Sequence, residues 1–160
     1  MNNYGINIWS DDNFVIEDGL AKINHDCKPS LISIVKDIRK QDFKGPLLLR
    51  FPHITEKQIN TLYNTFNASI KEYDYKGNFN AVFPLKVNQL PNFIHPLINE
   101  GKKFNYGLEA GSKAELVIAM TYNNINSPIT VNGFKDKEMI HLGFIAKSMG
   151  HDITLIIEGL

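Results

Sequence analysis

From Phe79 onward, short apolar runs alternate with longer segments in which apolar residues return every three or four positions. The runs Phe79 to Val87, Phe104 to Leu108, Ile129 to Asn132 and Ile153 to Ile157 predict strands. Between them, Phe93 to Glu100, Lys113 to Met120 and Lys135 to Ser148 predict helices, the last closed by Gly150. Strand and helix in strict alternation imply an α/β fold with parallel strands and right-handed crossovers. Parallel strands need helices on their faces, so a fresh apolar run just before Leu160 has two readings. It is the edge of a small open sheet, or the middle of an eight-stranded TIM-type (β/α)8 barrel whose second half is absent. A bare core strand at a chain end favours the truncated barrel.

Upstream, Tyr4 to Trp9 and Phe14 to Ile16 flank the turn-forming Ser10-Asp11-Asp12-Asn13 and predict a small hairpin ahead of the main fold. Pro29 opens a segment in which Leu31, Ile34, Val35 and Ile38 recur at helical spacing, with a stop at Gly45-Pro46. Leu47 to Phe51 is a short apolar run. Thr55 and Gln58 then stand three apart, as in a capping box, and start a helix whose face carries Ile59, Leu62, Tyr63, Phe66 and Ile70. The pattern stops near Tyr75-Lys76-Gly77.

Composition narrows the function classes. The chain has 160 residues, 43% of them hydrophobic, and a formal net charge of zero with the two signs intermixed, which argues against a nucleic-acid or anionic-membrane partner. A single cysteine, Cys27, leaves no intrachain disulfide and no cysteine metal cluster, and suits a reducing cytoplasm. No apolar run approaches the roughly 20 residues of a membrane helix, and Met1 to Ser10 has no signal-peptide pattern. The five histidines show no ligand or triad spacing.

Chemistry concentrates where predicted strands end. In Asn80 to Gln89, Lys86 falls at the carboxyl end of a run expected to be buried on both faces, and period-two alternation places it with Val82 and Pro84. A desolvated ammonium has a lowered pKa, and a lysine that is easily neutral is a nucleophile toward carbonyls. The competing reading is a lysine that snorkels to solvent, and Pro84 argues against a fully paired central strand. Glu109, in Phe104 to Leu116, is expected at the same rim one strand over, as a partner for the lysine or a ligand, or as a solvated loop acid. Ser112 and Glu115 form a capping box after it. The order Gly111-Ser112-Lys113 excludes a Walker phosphate loop. Asn132-Gly133 reads as a strand-to-helix turn.

Taken together, Tyr4-Gly5-Ile6 with Trp9, Gly45 to Phe51, Val82 to Gln89, Gly107 to Leu116 and Asn132 to Asp136 resemble the bacterial biosynthetic arginine decarboxylases in order and spacing, from Tyr4 to Leu160. The resemblance implies an alanine-racemase-like, pyridoxal-phosphate-dependent enzyme that converts L-arginine to agmatine and carbon dioxide for polyamine synthesis. It implies a barrel with a carboxy-terminal β-domain, magnesium as a further cofactor, a cytoplasmic location and a homo-oligomer. On this reading residues 1–26 are an N-terminal β segment that pairs with the β-domain. Residues 27–160 are then the first part of a partial (β/α)8 barrel, about four strands. Lys86 becomes the Schiff-base lysine, and Glu109 and Ser112 occupy the acidic motif after the second barrel strand. A phosphate cradle, an acid for the pyridine nitrogen and acids for the guanidinium would lie beyond Leu160, so these residues alone are expected to be inactive. A related diamino-acid decarboxylase, of the diaminopimelate or ornithine type, and a non-catalytic α/β binding or regulatory module are the alternatives.

Overall fold

A computed structural model describes residues 5–158 of the chain. They fall into two compact units, Met1–Arg50 and Phe51–Leu160.

In the first unit, helix α1 (Ile6–Trp9) precedes an antiparallel hairpin of β1 (Phe14–Glu17) and β2 (Leu20–Ile23), and helix α2 (Leu31–Arg39) follows. The expected hairpin is displaced. Ile6 to Trp9 forms a helical turn, with Ser10 N–H donating to the Ile6 carbonyl at 2.9 Å, and Phe14 starts the first strand. Tyr4 lies outside the described residues. The connection is Asp18-Gly19, both at positive φ (54° and 74°), the two-residue loop whose twist matches paired strands. Ser30 caps α2 by accepting from Ser33 N–H at 3.1 Å. That helix ends at Arg39, ahead of the Gly45-Pro46 stop.

The second unit opens with α3 (Pro52–Glu72), three residues before the Thr55 start that its sequence suggested. Pro52 takes the first helical position, where a missing N–H costs nothing, so the helix begins there. Ile59 and Tyr63 are its buried residues; the Tyr63 ring stacks on Phe104 at 4.4 Å and its hydroxyl accepts from Ala81 N–H at 3.1 Å. The helix stops at Glu72, short of Gly77. No strand forms in Leu47 to Phe51.

Strand and helix then alternate as expected: β3 (Val82–Pro84), α4 (Pro91–Gly101), β4 (Gly107–Ala110), α5 (Lys113–Tyr122), β5 (Pro128–Val131), α6 (Lys137–Ser148) and β6 (Asp152–Leu155). The four strands β3 to β6 form one sheet in sequence order, parallel throughout. Strands β3, β4 and β6 are shorter than their apolar runs, and β5 matches its run in length, one residue earlier. Pairing of β3 ends at Pro84, which has no N–H to give, although Leu85 N–H still donates to the Glu109 carbonyl at 3.0 Å. The start of β4 is delayed because Lys102–Phe104 wind into a 3-10 turn and Asn105 takes positive φ (54°).

Register sorts strand residues onto two faces. Phe83, Leu108, Ile129 and Ile153 stand side by side, as do Ala110, Val131 and Leu155. These pack with Ile94 and Leu97 of α4, Leu116 and Ala119 of α5, and Met139 of α6 into the core. The other face carries Val82, Pro84, Gly107, Glu109, Pro128, Thr130 and Thr154, a set of small and polar residues with few large apolar ones. No helix among the described residues is long and apolar enough to cross a membrane.

Candidate functional site

The site is the rim formed where β3, β4 and β5 end and hand over to helices. Lys86 sits two residues past β3, at the third position of a turn closed by Val87 N–H donating to the Pro84 carbonyl at 3.0 Å. Leu85, fully buried, pins that turn from below, while Lys86 itself is exposed. The expectation of a desolvated lysine is therefore corrected: strand alternation stops at Pro84, and the turn lifts the side chain out of the sheet.

Glu109 is half-buried on β4 and stands directly across the ladder from Pro84 on one side and Thr130 on the other. Adjacent strands lie about 4.8 Å apart, so the expected neighbourhood of Glu109 and the Lys86 turn is present. Neither side chain makes a hydrogen bond or ion pair with another described residue. Ser112 is the N-cap of α5, and its hydroxyl oxygen accepts from Glu115 N–H at 3.2 Å. Its oxygen is thereby engaged by the helix.

Three features of the rim are not given by the capping-box and turn signals of the sequence. Glu115 is buried (8% exposed), and its carboxylate reaches Gly111 N–H at 2.6 Å and Gln89 Nε2 at 2.9 Å. Asn132 Oδ1 is buried with no hydrogen-bond partner among the described residues. Gly133 is not in the left-handed region, so the Asn132-Gly133 turn does not demand glycine by its torsion angles. Close approach does: a Cβ on Gly133 would lie 2.2 Å from the Gly111 carbonyl oxygen. Glycine at both loops lets the second and third strand-to-helix connections touch backbone to backbone.

An ion-pair cluster ties the same two loops. Lys113, the first residue of α5, pairs with Asp136 at 2.7 Å and with Glu138, and Asp136 also caps α6 by accepting from Met139 N–H at 2.9 Å. The Lys113 hydrogen bond, helped by the Met139 N–H, holds the Asp136 carboxyl below its ordinary value of 3.8. A depressed pKa favours folding above the ordinary value and loses that contribution as pH falls through the folded-state value. Asp136→Asn keeps an equally good cap but removes the charge. Denaturation midpoints measured from pH 7 down to pH 2 should show the variant's deficit shrinking to nothing at the acid end; a constant deficit would contradict the assignment.

Comparison with known proteins relates the chain to one group of enzymes. No protein-family profile matches the chain. It is 35% identical over 164 residues to a biosynthetic arginine decarboxylase of Prochlorococcus marinus, and 39% identical over 166 residues to that of Pelobacter propionicus, with 99% and 98% of this chain aligned. The crystal structure of the biosynthetic arginine decarboxylase from Campylobacter jejuni superposes on 99% of the chain with a TM-score of 0.96 and 60% identity. By sequence the chain is similar, over nearly all of its length, to a stretch of the biosynthetic arginine decarboxylases. It spans about a quarter of the length of the curated relatives it matches, 25% and 26% for the two named, and 27% of the C. jejuni chain. A diaminopimelate decarboxylase structure from M. jannaschi matches 84% of the chain with a TM-score of 0.58 and 26% identity. Arginine and diaminopimelate decarboxylases are in general pyridoxal-phosphate enzymes.

The residues at the rim suit the aldehyde end of that cofactor. They offer a primary amine free of partners at Lys86, a free carboxylate at Glu109 and an unsatisfied buried acceptor at Asn132, all among the described residues. They do not suit magnesium: no group of three His, Cys, Asp or Glu that could hold a metal ion occurs among the described residues.

Proposed function

We propose that these residues form the lysine-bearing part of a pyridoxal-phosphate-dependent arginine decarboxylase that converts L-arginine to agmatine and carbon dioxide. The observation that carries the reading is the placement of Lys86, without a partner among the described residues, at the carboxyl end of a parallel strand beside Glu109, in a chain 60% identical to an arginine decarboxylase of known structure. Strands β3 to β6 are on this reading the first four of a (β/α)8 barrel, in which catalytic groups come from the carboxyl ends of strands. The uniform strand order and the small, polar character of the face opposite the helices support it. The β1–β2 hairpin belongs to the part that pairs with a carboxy-terminal β-domain.

When bound, the cofactor supplies an electron sink for the pair left behind as carboxylate departs. The chain's own residues do the rest of what is accessible here. Lys86 provides the amine that holds the cofactor covalently, and it must lose a proton to act, which a nearby acceptor assists. Glu109 is that acceptor, or the anchor for a ring substituent. Ser112 fixes the start of α5, whose partial positive end faces the rim. The reading implies polyamine synthesis in the cytoplasm by a homo-oligomer.

The test is product analysis on the intact protein supplied with pyridoxal phosphate and, separately, L-arginine, meso-diaminopimelate and L-ornithine. Agmatine and carbon dioxide from arginine, with no release from the other two, is expected. Decarboxylation of diaminopimelate or ornithine in preference would replace the substrate, and none from any would leave the α/β binding module.

A further inference from the structure

The mobile part of any lysine-based site is the lysine. Lys86 has a long flexible stem and stands on a surface turn, so the direction of its amine depends on how firmly that turn is held. One end is fixed by Leu85 in the core and by the Val87-to-Pro84 hydrogen bond. The other end runs through Asn88, whose Oδ1 accepts from Leu90 N–H at 3.1 Å at the entrance to α4, and through Gln89. Gln89 Nε2 donates to Glu115 Oε1 at 2.9 Å, across a gap of 26 residues in sequence.

Glu115 sits at the third helical position of α5, where a capping-box glutamate ordinarily reaches back to the N–H of its own cap residue. It does something else. Oε2 accepts from Gly111 N–H at 2.6 Å, one residue earlier than the cap, and Oε1 is left for Gln89. A buried carboxylate thus spans two loops: the turn that presents Lys86, and the connection that begins directly after Glu109 and Ala110 on β4. Charge-assisted bonds of this kind are short and about twice as strong as neutral ones. Local capping explains the Ser112 bond; it does not explain the bond to Gln89.

We infer that Glu115 is a positioning residue that clamps the Lys86 turn, through Gln89, to the Glu109 loop and so sets the direction of the Lys86 amine. The inference rests on the proposed role of Lys86. It also tells which substitutions matter. Gln89→Glu sets two carboxylates against each other and breaks the clamp without touching the core. Glu115→Gln keeps both bonds in weaker, neutral form, because the Gln89 amide can turn over and accept from the new amide while Gly111 keeps its acceptor. In the double variant Q89E/E115Q the two side chains exchange roles: the amide now at position 115 donates to the carboxylate now at position 89 and still accepts from Gly111, which restores both bonds.

The experiment uses the intact protein and two readouts. Borohydride trapping of pyridoxal phosphate on Lys86, followed by peptide mass mapping, gives a rate; amide exchange at Val87 gives the order of the turn without cofactor. Q89E is expected to slow trapping roughly tenfold to a hundredfold, the worth of one lost hydrogen bond to a charged group, and to speed Val87 exchange. The double variant should return to within about threefold of the unsubstituted protein, since the charge-assisted bond between the two side chains is restored, and E115Q, whose two bonds are neutral, should fall between it and Q89E. A Q89E variant that leaves exchange unchanged, or a double variant as slow as Q89E, overturns the clamp. Absence of selective Lys86 trapping in the unsubstituted protein overturns the functional reading instead.

Discussion

On the proposed role of Lys86, Lys86→Ala in the intact protein is expected to lower arginine decarboxylation by roughly four orders of magnitude or more, the scale on which removal of a covalent catalytic group acts. The alanine leaves the fold nearly untouched. Lys86 is exposed, follows the last paired residue of β3, and makes no hydrogen bond or ion pair with another described residue. Its loss therefore removes an amine and little else, and the denaturation midpoint should move by no more than about 0.5 kcal/mol in equivalent stability. Activity and stability are measured together for this reason. A variant that is both stable and inactive supports the covalent role. A variant that retains more than about a hundredth of the activity would mean that another lysine carries the cofactor, since no simple base replaces a covalent anchor. Lys113 does not fill that place, because its ammonium is engaged by Asp136 and Glu138.

The second large effect is on folding. Gly107→Ala is expected to cost about 3 kcal/mol or more, the upper range of overpacking in a close-packed interior. A Cβ at this position would stand 1.9 Å from the carbonyl oxygen of Pro128 and 2.9 Å from its carbonyl carbon. Those atoms belong to the backbone of the neighbouring strand, and Gly107 is itself held by its N–H donating to the Ala81 carbonyl at 2.9 Å. Neither strand can withdraw without breaking the ladder. Gly143→Ala on α6 is the contrasting case. Its Cβ would meet the end of the Leu155 side chain at 3.2 Å, a flexible methyl, and alanine is the better helix former by about 1 kcal/mol. Chemical denaturation of the two variants should separate them clearly; equal destabilisation would show that neighbouring backbone is more yielding than the packing indicates.

Much of the second unit is legible in the sequence because short strand-prone runs and longer helical segments alternate in order. The alternation of strands β3 to β6 with helices α4 to α6 follows from the order of the apolar runs, and the Ser112 cap follows from residue type and spacing. The first unit misleads at Ile6 to Trp9, where β-prone residues form a helical turn; the two-residue loop Asp18-Gly19 holds the stronger hairpin signal. For Lys86, strand position leads to the rim but alternation gives an incomplete reason. The alternation cannot be carried past Pro84, and a residue without an N–H is itself a sign that the strand ends there. Glu109 needs only the strand order to fall beside it. The Gln89–Glu115 bond and the contact of Gly133 with Gly111 are out of reach, because each joins loops far apart in sequence whose meeting depends on the whole sheet.

The two faces of the sheet put different demands on neighbouring residues. Within β4, Leu108 and Ala110 answer to the core, while Glu109 between them faces the opposite side of the sheet. The same interleaving runs through Ile129, Thr130 and Val131, and through Ile153, Thr154 and Leu155. Selection for a new substrate can therefore act on every second letter while the letters between stay fixed by packing.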